Sequence, residues 1–121
     1  MAENKKFQNV TEEDIAKMQE EMSRGKFTHE FKKAVEHGGK TYAALHFDFD
    51  AMTGRDCRLI EHELASKGIH LFSRELSSDY QVLFAVRACQ ENIGEDFFDV
   101  IPARDFNMIM KRVQSFLLRA E

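Results

Sequence analysis

The sequence predicts an α+β domain in which a β-hairpin or small antiparallel sheet is packed by three to four helices. Polarity alternates with period two across residues 27–50, and apolar residues recur at helical spacing after Pro102. Hydrophobic residues make up 43% of the 121-residue chain, enough for one domain with its own core. We expect this single domain to span residues 27–121, behind a polar segment over residues 1–26.

The N-terminal segment contains one expected amphipathic helix. Thr11-Glu12-Glu13-Asp14 has the pattern of a capping box, and Gly25 is a natural helix end. Behind the cap, Ile15, Met18 and Met22 form a thin apolar stripe. Methionine adapts to varied surfaces, so we expect Met18 and Met22 to contact a partner.

Two strands of the expected hairpin are divided by His37-Gly38-Gly39-Lys40. A two-residue glycine loop would place Phe31 on the face opposite Leu45 and Phe47. A shift of one residue moves every side chain to the other face of a sheet. We therefore expect a loop of three or five residues, or a glycine bulge, so that the large residues share one face.

Capping signals mark two further helices. Thr53-Gly54-Arg55-Asp56 resembles a capping box, and Gly68 ends the helix behind it. Ser77-Ser78-Asp79 offers caps for a helix from Tyr80 to about Gln90. That helix is apolar nearly all round, which predicts a central position.

The remaining segments are shorter or terminal. Residues 69–72 read as a strand or a packed loop, and residues 91–101 as a turn or short helix. Pro102 suits the first turn of a last helix, and Asp105 near its start favours the helix dipole. The apolar stripe of that helix comprises Phe106, Ile109, Met110, Val113, Phe116 and Leu117.

The sharpest polar pattern is His46, Asp48 and Asp50, which period two places on one strand face. Two carboxylates and an imidazole could bind a metal ion, but the same residues fit an ordinary solvent face, which is the interpretation we favour. Cys57 and Cys89 read as reduced, packed thiols. No catalytic, zinc or phosphate-loop motif occurs, so we predict no catalytic residue, no metal and no cofactor.

Charge and hydropathy exclude further classes. The 17 basic and 21 acidic residues give a net charge of -4, without the basic block expected of a nucleic-acid-binding protein. No apolar run reaches the length of a membrane span, and no secretory signal is recognisable ahead of the two cysteines. We therefore expect a cytoplasmic protein that binds neither nucleic acid nor membrane.

Large and flexible apolar side chains are the remaining signal. Methionine and aromatic residues are enriched at the centres of protein interfaces. We predict that the partner-binding residues, in addition to the two N-terminal methionines, are Phe97, Phe98, Met110, Phe116 and Leu117.

The order of motifs resembles the small tail assembly chaperones of long-tailed phages and prophages. Gly39-Lys40-Thr41-Tyr42 opens the second strand, Thr53-Gly54-Arg55-Asp56 leads into a helix, and an apolar helix follows. The chain then reads Ile101-Pro-Ala-Arg-Asp105-Phe106 and closes with Val113-Gln-Ser-Phe116-Leu117. The resemblance covers about residues 27–118.

The resemblance implies a non-enzymatic protein of the bacterial host cytoplasm that acts while phage tails are built. Members of that family are thought to coat the long tape measure protein, to recruit tail tube subunits, and to be absent from the mature virion. Such a protein works in many copies, so we also expect a homo-oligomer. Two other hypotheses are a small ligand- or metal-binding domain using His46, Asp48 and Asp50, and a structural tail component.

Overall fold

A computed structural model of the chain describes residues 11–16 and 25–119. Two antiparallel strands form the only sheet within these residues, and helices pack against it, which confirms the predicted α+β class. The elements are β1 (Lys26–His37), β2 (Lys40–Asp48), a 3-10 turn (Phe49–Ala51), α1 (Gly54–Ser66), a second 3-10 turn (Arg74–Leu76), α2 (Ser78–Ala88), α3 (Glu95–Val100) and α4 (Ala103–Leu118).

The predicted N-terminal capping box is present. The Asp14 backbone N–H donates to the Thr11 hydroxyl at 3.0 Å, and the Thr11 N–H donates to the Asp14 carboxylate at 3.2 Å. Residues 12–16 are helical behind it, and Ile15 is exposed. Met18 and Met22 lie outside the described residues, as does most of the predicted segment 1–26.

The hairpin loop is shorter than predicted. His37 pairs with Lys40, so the loop is the two residues Gly38 and Gly39, with φ of 58° and 79°. A two-residue turn that follows the twist of its strands requires positive φ at both positions, which glycine adopts without strain. The prediction of a three- or five-residue loop is wrong.

The expected change of register occurs inside β1 instead. Pairing is regular from Val35 opposite Tyr42 toward the tip, and from Glu30 opposite Ala44 toward the base. Between these pairs, four residues of β1 lie opposite one residue of β2, an excess of three. An excess of an odd number of residues brings the large side chains of both strands to one face. The predicted change of face therefore occurs, although it comes from a bulge without glycine and not from the loop.

One core joins the inner face of the hairpin to α2 and α4. Phe27 stacks on Phe47 with ring centroids 4.8 Å apart, and Phe49 contacts both Phe84 and Phe116. As predicted, α2 is central: it buries Tyr80, Gln81, Leu83, Phe84, Ala85 and Ala88.

The capping signals fix the helix starts. Thr53 and Asp56 form the reciprocal capping box of α1, and the Ser77 side chain accepts from the Tyr80 N–H at α2. Residues 69–72 form a loop and not a strand, residues 91–101 contain α3, and Pro102 immediately precedes α4.

Candidate functional site

Phe97 and Phe98 do not form a partner surface in this structure. Their side chains are 0% and 3% exposed. The Phe97 ring lies edge-on to Tyr42 at 5.1 Å and to His37 at 5.4 Å, beneath the tip of the hairpin. Adjacent residues on a helix point about 100° apart, and α3 is enclosed widely enough to bury both. The predicted binding role of these two phenylalanines is therefore corrected to core packing.

The last helix divides its apolar side chains between core and surface. Met110 is buried, while Phe116 and Leu117 are half-buried, with Phe116 packed on Phe49 and Phe84. Met110 is thereby corrected from a binding residue to a core residue. The exposed apolar residues of α4 are Met108 and Leu118, which the sequence argument did not select.

The most exposed apolar side chains lie between α1 and α2. Phe72 is fully exposed and Leu76 is 67% exposed. Gly68, with φ of 76°, turns the chain at the end of α1, and Ser77 caps α2, so both ends of the intervening segment are fixed. The side chains of Phe72 and Leu76 therefore point to solvent from a segment whose two ends are fixed. We call residues 69–76 the apolar segment.

A shallow groove of about 550 Å³ runs between the apolar segment and α1. Its rim is polar: the Arg74 guanidinium lies 3.8 Å from the Glu61 carboxylate. The 3-10 turn within the segment also packs against α4, the helix that exposes Met108. Residues lining the groove include Glu61, Ala65, Ile69, Leu71, Phe72 and Arg74.

His46, Asp48 and Asp50 do not converge on a common point. His46 is engaged by Glu91: its Nδ1 lies 2.6 Å from one carboxylate oxygen, and its backbone N–H donates to the other at 2.7 Å. Asp48 Oδ1 is buried and has no hydrogen-bond partner among the residues that the structure describes. Across residues 11–16 and 25–119, no three or more His, Cys, Asp and Glu side chains are arranged to hold a metal ion.

The three histidines of the hairpin each pair with a carboxylate from the stretch that runs from Glu91 into α4. His29 Nε2 lies 2.8 Å from Asp105 Oδ1, and both side chains are buried. On the surface, His37 pairs with Asp96 at 3.3 Å and His46 with Glu91 at 2.6 Å. The sequence argument missed these contacts, although the alternation that placed His29 beside Phe27 on the inner face was a usable signal.

The two cysteines are free thiols and are partly buried. Burial is the largest cause that raises the pKa of the Cys89 thiol, to about 12. The nearby Glu91 carboxylate adds to this effect, and the Cys89 thiol lies 3.4 Å from Glu91 Oε1. Since the thiolate is the nucleophile, a raised pKa disfavours reaction at Cys89 and fits the interpretation of a packed thiol.

The chain was compared with protein-family models, with curated proteins and with solved structures, and none of the three comparisons found a match. No helix in the described part of the chain is both long and apolar enough to cross a membrane. What the site offers chemically is an exposed apolar surface beside a groove with a polar rim.

Proposed function

We propose that this protein is a non-enzymatic tail assembly chaperone that binds the tape measure protein, and through it tail tube subunits, during phage or prophage tail assembly. The proposal is supported by the order of motifs described above and by one structural observation, the exposed apolar segment. In this proposal the client contacts are Phe72 and Leu76 and not the buried Phe97 and Phe98. The protein acts in the bacterial cytoplasm and does not remain in the mature virion.

Exposure of Phe72 is the observation that carries the proposal. Burying a phenylalanine side chain stabilises a protein by about 1.5–3 kcal/mol, and this chain forgoes that gain at a position held between two helix ends. Exposed apolar surface rimmed by polar residues marks sites of protein interaction. A client helix with an apolar face can lie in such a groove and place its own anchors against Phe72, which lines it. Leu76 lies outside the groove lining and is exposed on the same segment.

A capture experiment tests the proposal. Tagged wild-type chain is co-expressed with apolar helical fragments of a tape measure protein encoded in the same phage or prophage, and the complex is purified. We expect the double variant Phe72→Ser/Leu76→Ser to lose most of the captured fragment, because both anchors are removed without disturbing the core. The matched control is Leu59→Ser, a 41% exposed leucine on α1 that lines a different groove.

The result has two clear readings. Loss of capture in the double variant, with an unchanged far-UV circular dichroism spectrum and normal capture by the Leu59 variant, supports the proposal. Equal capture by all three chains contradicts it. Mass spectrometry of purified particles separates a chaperone from the alternative of a structural tail component, because only the latter is recovered in stoichiometric amounts.

A further inference from the structure

β1 has an open edge within the part of the chain that the structure describes. One edge pairs with β2, and no described strand, bridge or other backbone hydrogen bond reaches the opposite edge. The outer edge of β2 differs, because Phe47 bridges to Cys89 and the Gln90 N–H donates to the His46 carbonyl at 2.7 Å. An open strand edge is a template for pairing with another strand.

The bulge interrupts the pairing between β1 and β2. Residues 31–34 of β1 have no pairing partner on β2, so backbone groups there are left outside the hairpin ladder. Residues 32–34 are also exposed. Because a bulge bends its strand, a second strand has to follow that bend to pair along the whole edge.

Side-chain direction restricts how a second copy of β1 could pair. Even-numbered residues of β1, from Lys26 to Glu36, are all exposed, whereas Phe27, His29 and Phe31 are buried. Directly opposite residues in a sheet share a face. Two copies related by a twofold axis must therefore place even-numbered residues opposite even-numbered residues.

Charge and strand overlap together favour one register. An axis at Thr28 or Ala34 also pairs opposite charges, but it aligns only five or seven residues of β1, whereas an axis at Phe31 aligns eleven. With Phe31 opposite its own copy, Lys26 lies opposite Glu36 and Glu30 lies opposite Lys32, each pair occurring twice by symmetry. Shifting the axis by one residue in either direction places Glu30 opposite Glu30 or Lys32 opposite Lys32. Like charges directly opposite one another are destabilising, and opposite charges stabilise.

We propose that the outer edge of β1 is the interface for a second copy of this chain, which joins two hairpins into a four-stranded antiparallel sheet with Phe31 at the twofold axis. Such an interface is isologous and closed, because each copy uses the same open edge of β1. The edge of β2 is occupied at His46 and Phe47 by residues 89 and 90. The pairing needs no client, so its test is independent of the proposed function.

Charge exchange tests the register. Dimer dissociation is measured by sedimentation equilibrium for wild type, Glu30→Lys, Lys32→Glu and the variant carrying both substitutions. Each single variant replaces two attractive pairs by two repulsive ones, so we expect dimerisation about tenfold weaker. The double variant restores opposite charges and wild-type affinity. The control Lys40→Glu makes the same charge change as Lys32→Glu on β2, and we expect it to dimerise normally.

Disulfide trapping tests the same register by geometry. Thr28→Cys/Ala34→Cys places thiols opposite each other across the proposed axis, while within one chain they are about 20 Å apart. We expect this variant to form a covalent dimer on mild oxidation. Thr28→Cys/Lys32→Cys, which matches the shifted register, should form much less, and wild type reports the background of Cys57 and Cys89.

Several outcomes would overturn the proposal. The proposal is contradicted if the wild-type chain stays monomeric at its highest soluble concentration. Single charge variants that dimerise like wild type, a double variant as weak as the singles, or equal trapping at both registers would also contradict it. Restored dimerisation in the charge-exchanged variant together with selective trapping supports it.

Discussion

The segment around α3 and the apolar segment use phenylalanine in opposite ways. Phe97 lies under the hairpin tip with no exposed surface, while Phe72 is fully exposed. Phe97 stands between Asp96 and Phe98, and Phe72 between Leu71 and Ser73, so each has one polar and one apolar neighbour in the sequence. Local sequence therefore does not distinguish them, and the difference comes from the elements that pack over each.

The surroundings explain the contrast. Over Phe97, the hairpin supplies the rings of Phe31, His37 and Tyr42, and the surface contact between His37 and Asp96 flanks it. Over Phe72 no described element packs, because the chain is fixed at Gly68 and at Ser77 with the loop between them directed outward. A large apolar residue is therefore a core residue only where a second element is held against it.

Removing the buried Phe97 ring should have the largest effect on stability. We expect Phe97→Ala to lower the free energy of unfolding by about 3–5 kcal/mol, because the cavity would lie under three rings that cannot all collapse into it. Urea denaturation followed by circular dichroism measures the change. The control Val100→Ala, at an exposed position on the same helix, should change stability by less than about 0.5 kcal/mol. Similar losses in both variants would show that α3 is not held against the hairpin.

The buried pair of His29 and Asp105 should give the next largest effect. Asp105→Ala leaves the His29 ring buried without its partner, so we expect a loss of about 3 kcal/mol in unfolding free energy. His29→Leu/Asp105→Leu should be more stable than Asp105→Ala, because no polar group is then left unpaired. A double-mutant cycle of His29→Leu, Asp105→Leu and the variant carrying both, followed by urea denaturation, measures the coupling. Additive single effects would contradict a direct interaction.

The sequence was sufficient to predict what depends on local periodicity and capping. The hairpin, the Thr53 capping box and the central position of α2 follow from nearby residues. The site was not predictable in the same way, since the burial of Phe97 and the exposure of Phe72 depend on contacts between distant segments. The pairing of His29 with Asp105 joins residues 76 apart in the chain, which no local pattern encodes.

Acid should weaken the surface contact between His46 and Glu91. Burial acts to raise the pKa of the Glu91 carboxyl, but hydrogen bonds from the His46 backbone and ring outweigh it and hold the pKa below its usual 4.5. A carboxyl whose pKa is lowered on folding stabilises the protein above the unfolded pKa, and this is lost as pH falls through the folded pKa. We expect Glu91→Gln to lose less unfolding free energy than wild type between about pH 5 and pH 3.

The control for the acid experiment is Asp99→Asn, which removes an exposed carboxylate on α3. Its loss of unfolding free energy over the same pH interval should match that of wild type. If Glu91→Gln also matched wild type, the contact with His46 would contribute nothing to acid sensitivity.

Substitution of Phe72 should have the smallest effect on stability, because this ring is exposed whereas that of Phe97 is buried. We expect Phe72→Ser to change the free energy of unfolding by less than about 0.5 kcal/mol, because a fully exposed ring buries no area that could be lost. Binding of an apolar dye such as anilinonaphthalene sulfonate should nevertheless fall, since the dye reports exposed hydrophobic surface. Leu59→Ser, at the other groove, should retain more of the dye signal. A loss of more than about 1 kcal/mol in Phe72→Ser would place this ring in the core beside Phe97 and remove the contrast between the two regions.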